Sequence, residues 1–360
     1  MTNWYRDAAQ VAGYLHLTEA ETAEMQLIAE KYPMMLPEYY LRLIDPDDPA
    51  DPIRKMSIPA PFEEDEGGSF DTSGEQTNTK IPGLQHKYAQ TAMVLTTNRC
   101  AMYCRHCFRK RLVGLSDEEI ARHFDEILDY IREHTEIRNV LLSGGDSFLN
   151  SNEVIERYLA ALCEIPHLRY IRFGSRVPVS WPERVNAGLL DVLQRYTHRK
   201  QIFVVSQFNH PRELTTEAVA AVHALRDTGA ILRNQTVLLR GVNDDPLVLS
   251  ELLEGLVSIG CIPYYVFQCR PVTGVKSGFQ VTLDRGLQIV EEAKSHLSGL
   301  AKGFKYCMSH PAGKLEILGR LPGGDMIFKY HEAKYPENCG RLFTHAPDES
   351  GCWLPEVLSD

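Results

Sequence analysis

The sequence predicts an α/β chain organised around a partial (β/α)6 TIM-like barrel, with a helical N-terminal extension and a small β-containing C-terminal segment. Three observations carry that prediction. Short apolar runs alternate with amphipathic helical stretches through the middle of the chain. Six such units succeed one another, the rhythm of βα repeats and a parallel sheet. Each unusual polar cluster of this region follows one of the apolar runs, which in a parallel barrel is the rim that carries chemistry.

The elements follow in order. Residues 1–85 form the extension, in which Thr18-Glu19-Ala20-Glu21 matches a capping box and opens an amphipathic helix reaching about Lys31. Pro33, Pro37 and the run from Asp45 to Pro52 interrupt regular structure, and Glu63 to Lys80 reads as a polar loop. Residues 86–300 form the barrel, with strands near 92–97, 138–143, 168–174, 202–207, 232–238 and 262–268. Helices are expected near 117–134, 151–164, 183–196, 214–228, 246–259 and 283–297. The near-continuous apolar character of the strands predicts a sheet buried on both faces. In the remaining segment, 301–360, residues 314–318 and 325–330 read as short strands joined by the Pro322-Gly323-Gly324 turn, and this piece is expected to close one side of the barrel.

Composition narrows the function classes. With 44% hydrophobic and 24% charged residues the chain is of ordinary globular make-up, and its formal charge of −10 argues against a nucleic-acid or anionic-membrane binder. The local basic run Arg105, Arg109, Lys110 and Arg111 points instead to a small anionic substrate. No apolar run reaches the ~18 residues of a membrane span and the N-terminus lacks a signal-peptide core, so a cytoplasmic location is expected. Nine cysteines in that setting suggest reduced thiols and metal ligation rather than disulfides.

The most specific chemical signal is Cys100-x3-Cys104-x2-Cys107, directly after the first strand. Three thiolates can hold three irons of a [4Fe–4S] cube and leave the fourth open to a small molecule. Buried structural cysteines or a zinc site lacking one ligand are the alternatives, and His106 is awkwardly placed to complete a tetrahedral zinc site. Ser143-Gly144-Gly145-Asp146 follows the second strand; read alone it is a βα turn, whereas beside the cysteines it can let a ligand approach the backbone closely.

The cysteine spacing at the end of a first barrel strand resembles the radical S-adenosylmethionine superfamily. Tyr103-Cys104-Arg105-His106-Cys107, Leu142 to Asp146, Asn209-His210-Pro211 and Asn234 to Asn243 resemble the lysine 2,3-aminomutase family, and the similarity runs from about Leu17 to Lys314. The resemblance implies a [4Fe–4S] cluster on Cys100, Cys104 and Cys107, and S-adenosyl-L-methionine cleaved reductively to a 5′-deoxyadenosyl radical. It places Ser143, Gly144, Gly145, Asp146, His106, Ser175, His210 and Gln235 near the adenosylmethionine. It also implies pyridoxal 5′-phosphate carried by Lys314, although a plain turn lysine is the alternative there. A reductant such as flavodoxin or ferredoxin and a small amino-acid substrate follow from the same likeness, with homo-oligomerisation left open.

The resemblance further assigns Arg109 to the substrate α-carboxylate, against a solvated member of the basic run. Where lysine-specific members carry two aspartates for the distant ammonium group, this chain has Arg270 and Cys307, so free lysine is a poor expected substrate and a glutamate-like acid a better one. Arg270 could alternatively brace the loop from Pro271 to Gly278. Thr91 and Phe267 replace an Arg and a Tyr of the family pattern. Asp245 stands where zinc-binding members have a cysteine, and Cys339 and Cys352 lack the spacing of their cysteine trio, so no structural zinc is expected. The expected reaction is a 2,3-amino shift; an elimination or epimerisation without pyridoxal phosphate, or a non-catalytic iron–sulfur protein, are the alternatives.

Overall fold

The computed structural model describes residues 3–346, 348, 350–356 and 358. Its centre is one sheet of twelve strands, fronted by a two-stranded ribbon of β1 (Trp4–Tyr5) and β2 (Leu36–Pro37). In chain order the large sheet contains β3 (Thr79–Ile81), β4 (Leu84–Tyr88), β5 (Thr91–Thr97), β6 (Asn139–Gly144), β7 (Tyr170–Gly174) and β8 (Gln201–Ser206). It continues with β9 (Ile231–Leu238), β10 (Ile262–Gln268), β11 (Lys305–His310), β12 (Gly313–Arg320), β13 (Met326–Ala333) and β14 (Leu342–His345). Neighbours in sequence are neighbours in the sheet throughout.

Strands β5 to β11 are parallel, and the pairs β3–β4, β4–β5, β11–β12, β12–β13 and β13–β14 are antiparallel. The parallel set thus has a seventh member, β11, beyond the six expected. The N-terminal extension is also not wholly helical, because β1 to β4 lie within it or cross its boundary. The capping box at Thr18 forms as read: Thr18 Oγ1 accepts from Glu21 N at 3.2 Å while Glu21 takes the Thr18 N–H at 2.8 Å, opening the helix Glu19–Lys31.

Two helices start later than their periodicity predicts. The stretch expected to begin near 117 becomes helical only over Phe124–Glu133, because Gly114 N and Ala121 N bond the carbonyls of Asn98 and Leu95 at 3.0 and 2.8 Å and draw the intervening chain onto the end of β5. Likewise Asn186 caps the helix Ala187–Thr197, leaving 182–184 as a single turn after Pro182. Among the described residues no helix is long and apolar enough to cross a membrane.

The expectation of a sheet buried on both faces is overturned. Ala92, Val94, Val140, Leu142, Ile171, Phe173, Ile202, Val204, Leu232 and Leu238 are buried almost completely, and the strands pack against the crossover helices. The other face alternates with them. Register places Thr91, Met93, Leu141, Ser143, Arg172, Gln235, Phe267, Cys307 and Lys314 there, and most are only partly buried. Helices cover one side, so alternate residues on the other are free to be polar. That polar face, with the loops at its upper end, holds the site.

Candidate functional site

The loop after β5 carries the three cysteines. Cys100, Cys104 and Cys107 are free thiols within electrostatic reach of one another. Burial pushes the Cys107 thiol up to about 11 and Cys100 well above its ordinary range, each raised further by the neighbouring thiols. Thiolates at Cys100 and Cys107 are therefore unfavourable here without a positive centre to hold them, which is what a metal cluster provides.

The Gly144-Gly145 pair is explained by chain packing. A Cβ on Gly144, whose φ is +115°, would lie 2.3 Å from Thr97 O, and one on Gly145 would lie 2.3 Å from Arg99 O. Gly145 N and Asp146 N bond those same carbonyls at 2.5 and 2.7 Å. The glycines thus seat the cysteine loop against the end of β6. Asp146, 4% exposed, accepts from Ser175 Oγ at 2.7 Å, Arg176 N at 2.6 Å and Phe148 N at 3.0 Å. Its carboxylate consequently joins the second and third rim loops, and Ser175 is held in the same joint.

His106 lies beneath the next loop. Asn209 Oδ1 accepts from Val237 N, so the Asn209 amide NH2 faces His106 Nε2, 3.2 Å away. Nε2 must then be the acceptor, the ring proton sits on Nδ1, and that buried Nδ1–H has no partner. Burial and the nearby cation Arg176 hold the ring's pKa well below its ordinary value, so it is neutral. His210, also buried, accepts from Arg212 N at 3.2 Å through Nδ1. Gln235 sits on the polar face of β9, in register with Tyr265.

The basic run behaves differently from expectation. Arg105 and Lys110 both pair with Glu63, each with an approach of 2.5 Å, and Glu63 is fully buried. Arg109 and Arg111 both pair with Glu75 at 2.8 and 3.0 Å. These cations are neutralised internally by carboxylates from a stretch that reads as a polar loop, so they do not form an open anion patch. Arg109, 4% exposed, is no solvated side chain. Beyond Glu75 its guanidinium reaches Ser143 Oγ and Gly144 O, both at 3.3 Å, and Met93 Sδ, and it lies over the Phe108 ring at 4.6 Å.

A second group gathers around Lys314. This residue is the second of β12 rather than part of a turn, and its amine pairs with Glu332 directly across on β13. The amine lies 4.6 Å from the Tyr265 ring centre and 5.6 Å from that of Tyr88. Cys307 is fully buried within electrostatic reach of Lys314, and burial pushes its thiol up to about 12. Arg270 stacks over Phe108 at 4.2 Å but its buried Nη1 has no partner, and burial pulls its pKa down to about 10. Arg172 Nε is likewise buried and unpartnered. Neither arginine has a carboxylate within salt-bridge distance among the described residues.

Two participants escape the sequence reading, Glu332 and Glu75, and Arg176, which that reading sets on the rim after the third strand, is given no role there. Arg176 donates to Cys104 Sγ at 2.9 Å. Among the described residues the one group of three His, Cys, Asp or Glu ligand atoms within 4.8 Å of one another is His86, His134 and Glu136. Both His86 nitrogens are engaged, by Tyr130 and Ala89 O, and His134 Nδ1 is engaged by Glu136.

Comparison with known proteins then decides the family. The model described as "Radical SAM superfamily" matches residues 94–252. The L-lysine 2,3-aminomutase of Clostridium subterminale is 41% identical over 79% of this chain and 68% of its own length. The glutamate 2,3-aminomutase of Clostridioides difficile (strain 630) is 37% identical over 84% of this chain and 71% of its own. The L-lysine 2,3-aminomutase of Methanococcus maripaludis is 37% identical over 89% and 74%. The chain belongs to the lysine 2,3-aminomutase family of radical SAM enzymes. It is thereby an enzyme of the aminomutase class, an isomerase, and membership of the family implies a [4Fe–4S] cluster and S-adenosylmethionine. The donor set on the first rim loop fits that cluster.

Proposed function

We propose that this chain is a radical SAM, pyridoxal-phosphate-dependent amino-acid 2,3-aminomutase whose substrate is an acidic, glutamate-like amino acid. The observation that carries the reading is the pair of unpartnered buried donors, Arg172 Nε on the sheet face that also carries Lys314 and Arg270 Nη1 just beyond β10, with Lys87 within electrostatic reach of both Arg270 and Lys314. Buried guanidinium donors left empty cost free energy unless an anionic ligand meets them. A phosphate and a distal carboxylate are such ligands, whereas the ammonium of lysine would face Arg270 and be repelled.

In this reading Cys100, Cys104 and Cys107 hold the cluster, and the sheet curves into a partial barrel around the site. The rim residues Ser143 to Asp146, Ser175, His106, His210 and Gln235 surround the adenosylmethionine. His106 contributes a fixed Nδ1–H donor there. Pyridoxal phosphate, when bound, supplies the π system that stabilises a migrating amino group. Lys314 would hold that cofactor, and Glu332, paired with its amine, keeps the side chain in place across the β12–β13 ladder. The rings of Tyr265 and Tyr88 wall the amine and exclude water. Arg109 meets the α-carboxylate on its Nη1 side, where only two long contacts have to be given up. A one-electron reductant such as flavodoxin or ferredoxin completes the system in the cytoplasm.

The test is an anaerobic incubation with S-adenosylmethionine and a panel of amino acids, following 5′-deoxyadenosine and β-amino acids. Glutamate is expected to yield its β isomer and lysine to yield none; β-lysine from lysine with no product from glutamate overturns the substrate assignment. Lys314→Ala is expected to abolish turnover and borohydride trapping of the cofactor. Full turnover in that variant removes the cofactor role.

A further inference from the structure

Arg176 is buried, yet every part of its guanidinium is used. Nε donates to Gln207 O at 2.9 Å, Nη2 to Tyr40 Oη at 3.1 Å and to the Glu213 carboxylate, and Nη1 to Cys104 Sγ at 2.9 Å. Tyr40 in turn donates to Glu213 Oε1 at 2.5 Å. Glu213, fully buried, also takes the N–H groups of Asn209 and His210 at 2.6 and 3.1 Å. The arginine is therefore locked by the third and fourth rim loops and by the N-terminal extension, and the one donor left over is aimed at a cysteine.

The three cysteines are not equivalent. Among the described residues Cys104 is the one that receives a side-chain cation, whereas Cys107 receives the backbone N–H of Arg109. Hydrogen bonds to cluster sulfurs and nearby positive charge favour the reduced cluster, which carries one more negative charge. Glu213 offsets part of the arginine's charge, but it lies on the far side of the guanidinium from the sulfur.

We infer that Arg176 is a positioning residue that holds the Cys104 thiolate and sets the cluster's reduction potential, keeping it within reach of the reductant. This inference rests on the assignment of the cluster to Cys100, Cys104 and Cys107. It needs no substrate, because it concerns the electron that enters before chemistry begins.

The experiment compares wild type, Arg176→Lys and Arg176→Gln after anaerobic reconstitution. Iron and sulfide content and a redox titration followed by electron paramagnetic resonance are measured on each. Wild-type protein without iron and sulfide matching a [4Fe–4S] cluster would remove the cluster assignment itself, independently of Arg176. With the cluster present, the midpoint potential is expected to fall in the order wild type, lysine variant, glutamine variant. Reductive cleavage of S-adenosylmethionine should slow severalfold in the same order. A glutamine variant with a full cluster and the wild-type potential overturns the inference. If that variant loses its iron, the lysine variant decides: a lowered potential supports the role, and an unchanged one overturns it.

Discussion

Two sets of arginines in this molecule look alike in sequence and differ in what opposes them. Arg105, Arg109 and Arg111 stand beside the cluster cysteines and are answered by Glu63 and Glu75, which come from 34 to 42 residues upstream. Arg172, in the middle of β7, and Arg270, just beyond β10, have no carboxylate at salt-bridge distance among the described residues; each keeps a buried N–H without a partner. A basic run is therefore a poor guide to an anion site. The unpaired cation is the better one, since burying it without a counter-charge persists only where a ligand supplies one.

That contrast can be broken from the paired side first. Glu63→Ala leaves Arg105 and Lys110 buried without their carboxylate, and the expected loss is about 3–5 kcal/mol of stability, read from denaturant midpoints. A loss under about 1 kcal/mol would show that the pairing is not what neutralises the run.

The unpaired side is sharpened by Arg270→Met, which removes a cation with no carboxylate at salt-bridge distance among the described residues, Glu75 and Asp71 acting on it only from farther away. Apparent affinity for an acidic amino acid should drop roughly tenfold to a hundredfold, the scale of a hydrogen bond to a charged group, while the melting temperature stays equal or rises. A lowered melting temperature with unchanged affinity would return Arg270 to a bracing role for the loop after it.

The smallest effect concerns Lys87, whose amine is tied to Ser73 O and His310 O. Burial, aided by Arg270 and Lys314, holds its pKa down to about 7 from an ordinary 10.5. The unfolded chain then binds more protons between those values, so stability rises as pH climbs from about 7 toward 10.5. Lys87→Met should flatten that rise in a series of denaturation curves, and an unchanged slope would show that Lys87 is not its source.

Much of the molecule was legible beforehand. The six expected strands fall within two residues of β5 to β10, because their apolar residues are stacked on the crossover helices and periodicity reports that burial directly. The capping box at Thr18 is a local interaction and could be read as such. The helix expected from 117 fails for the opposite reason: Ala121 bonds the end of β5, a partner invisible in a local window. Glu63 and Glu75 read only as part of a polar loop for the same cause, since their charges are cancelled only after the chain folds back on itself.

By itself the sequence determined the family, the spacing of the cluster thiols and the order of the strands, because each depends on residues close together along the chain. Tertiary structure alone decided which charges are spent and which are free. It turned the basic run beside the cysteines into a buried scaffold, set Lys314 opposite Glu332, and aimed Arg176 at Cys104. The physical reason is that electrostatics in a protein interior depends on distance in space, and the partners here lie tens of residues apart in sequence.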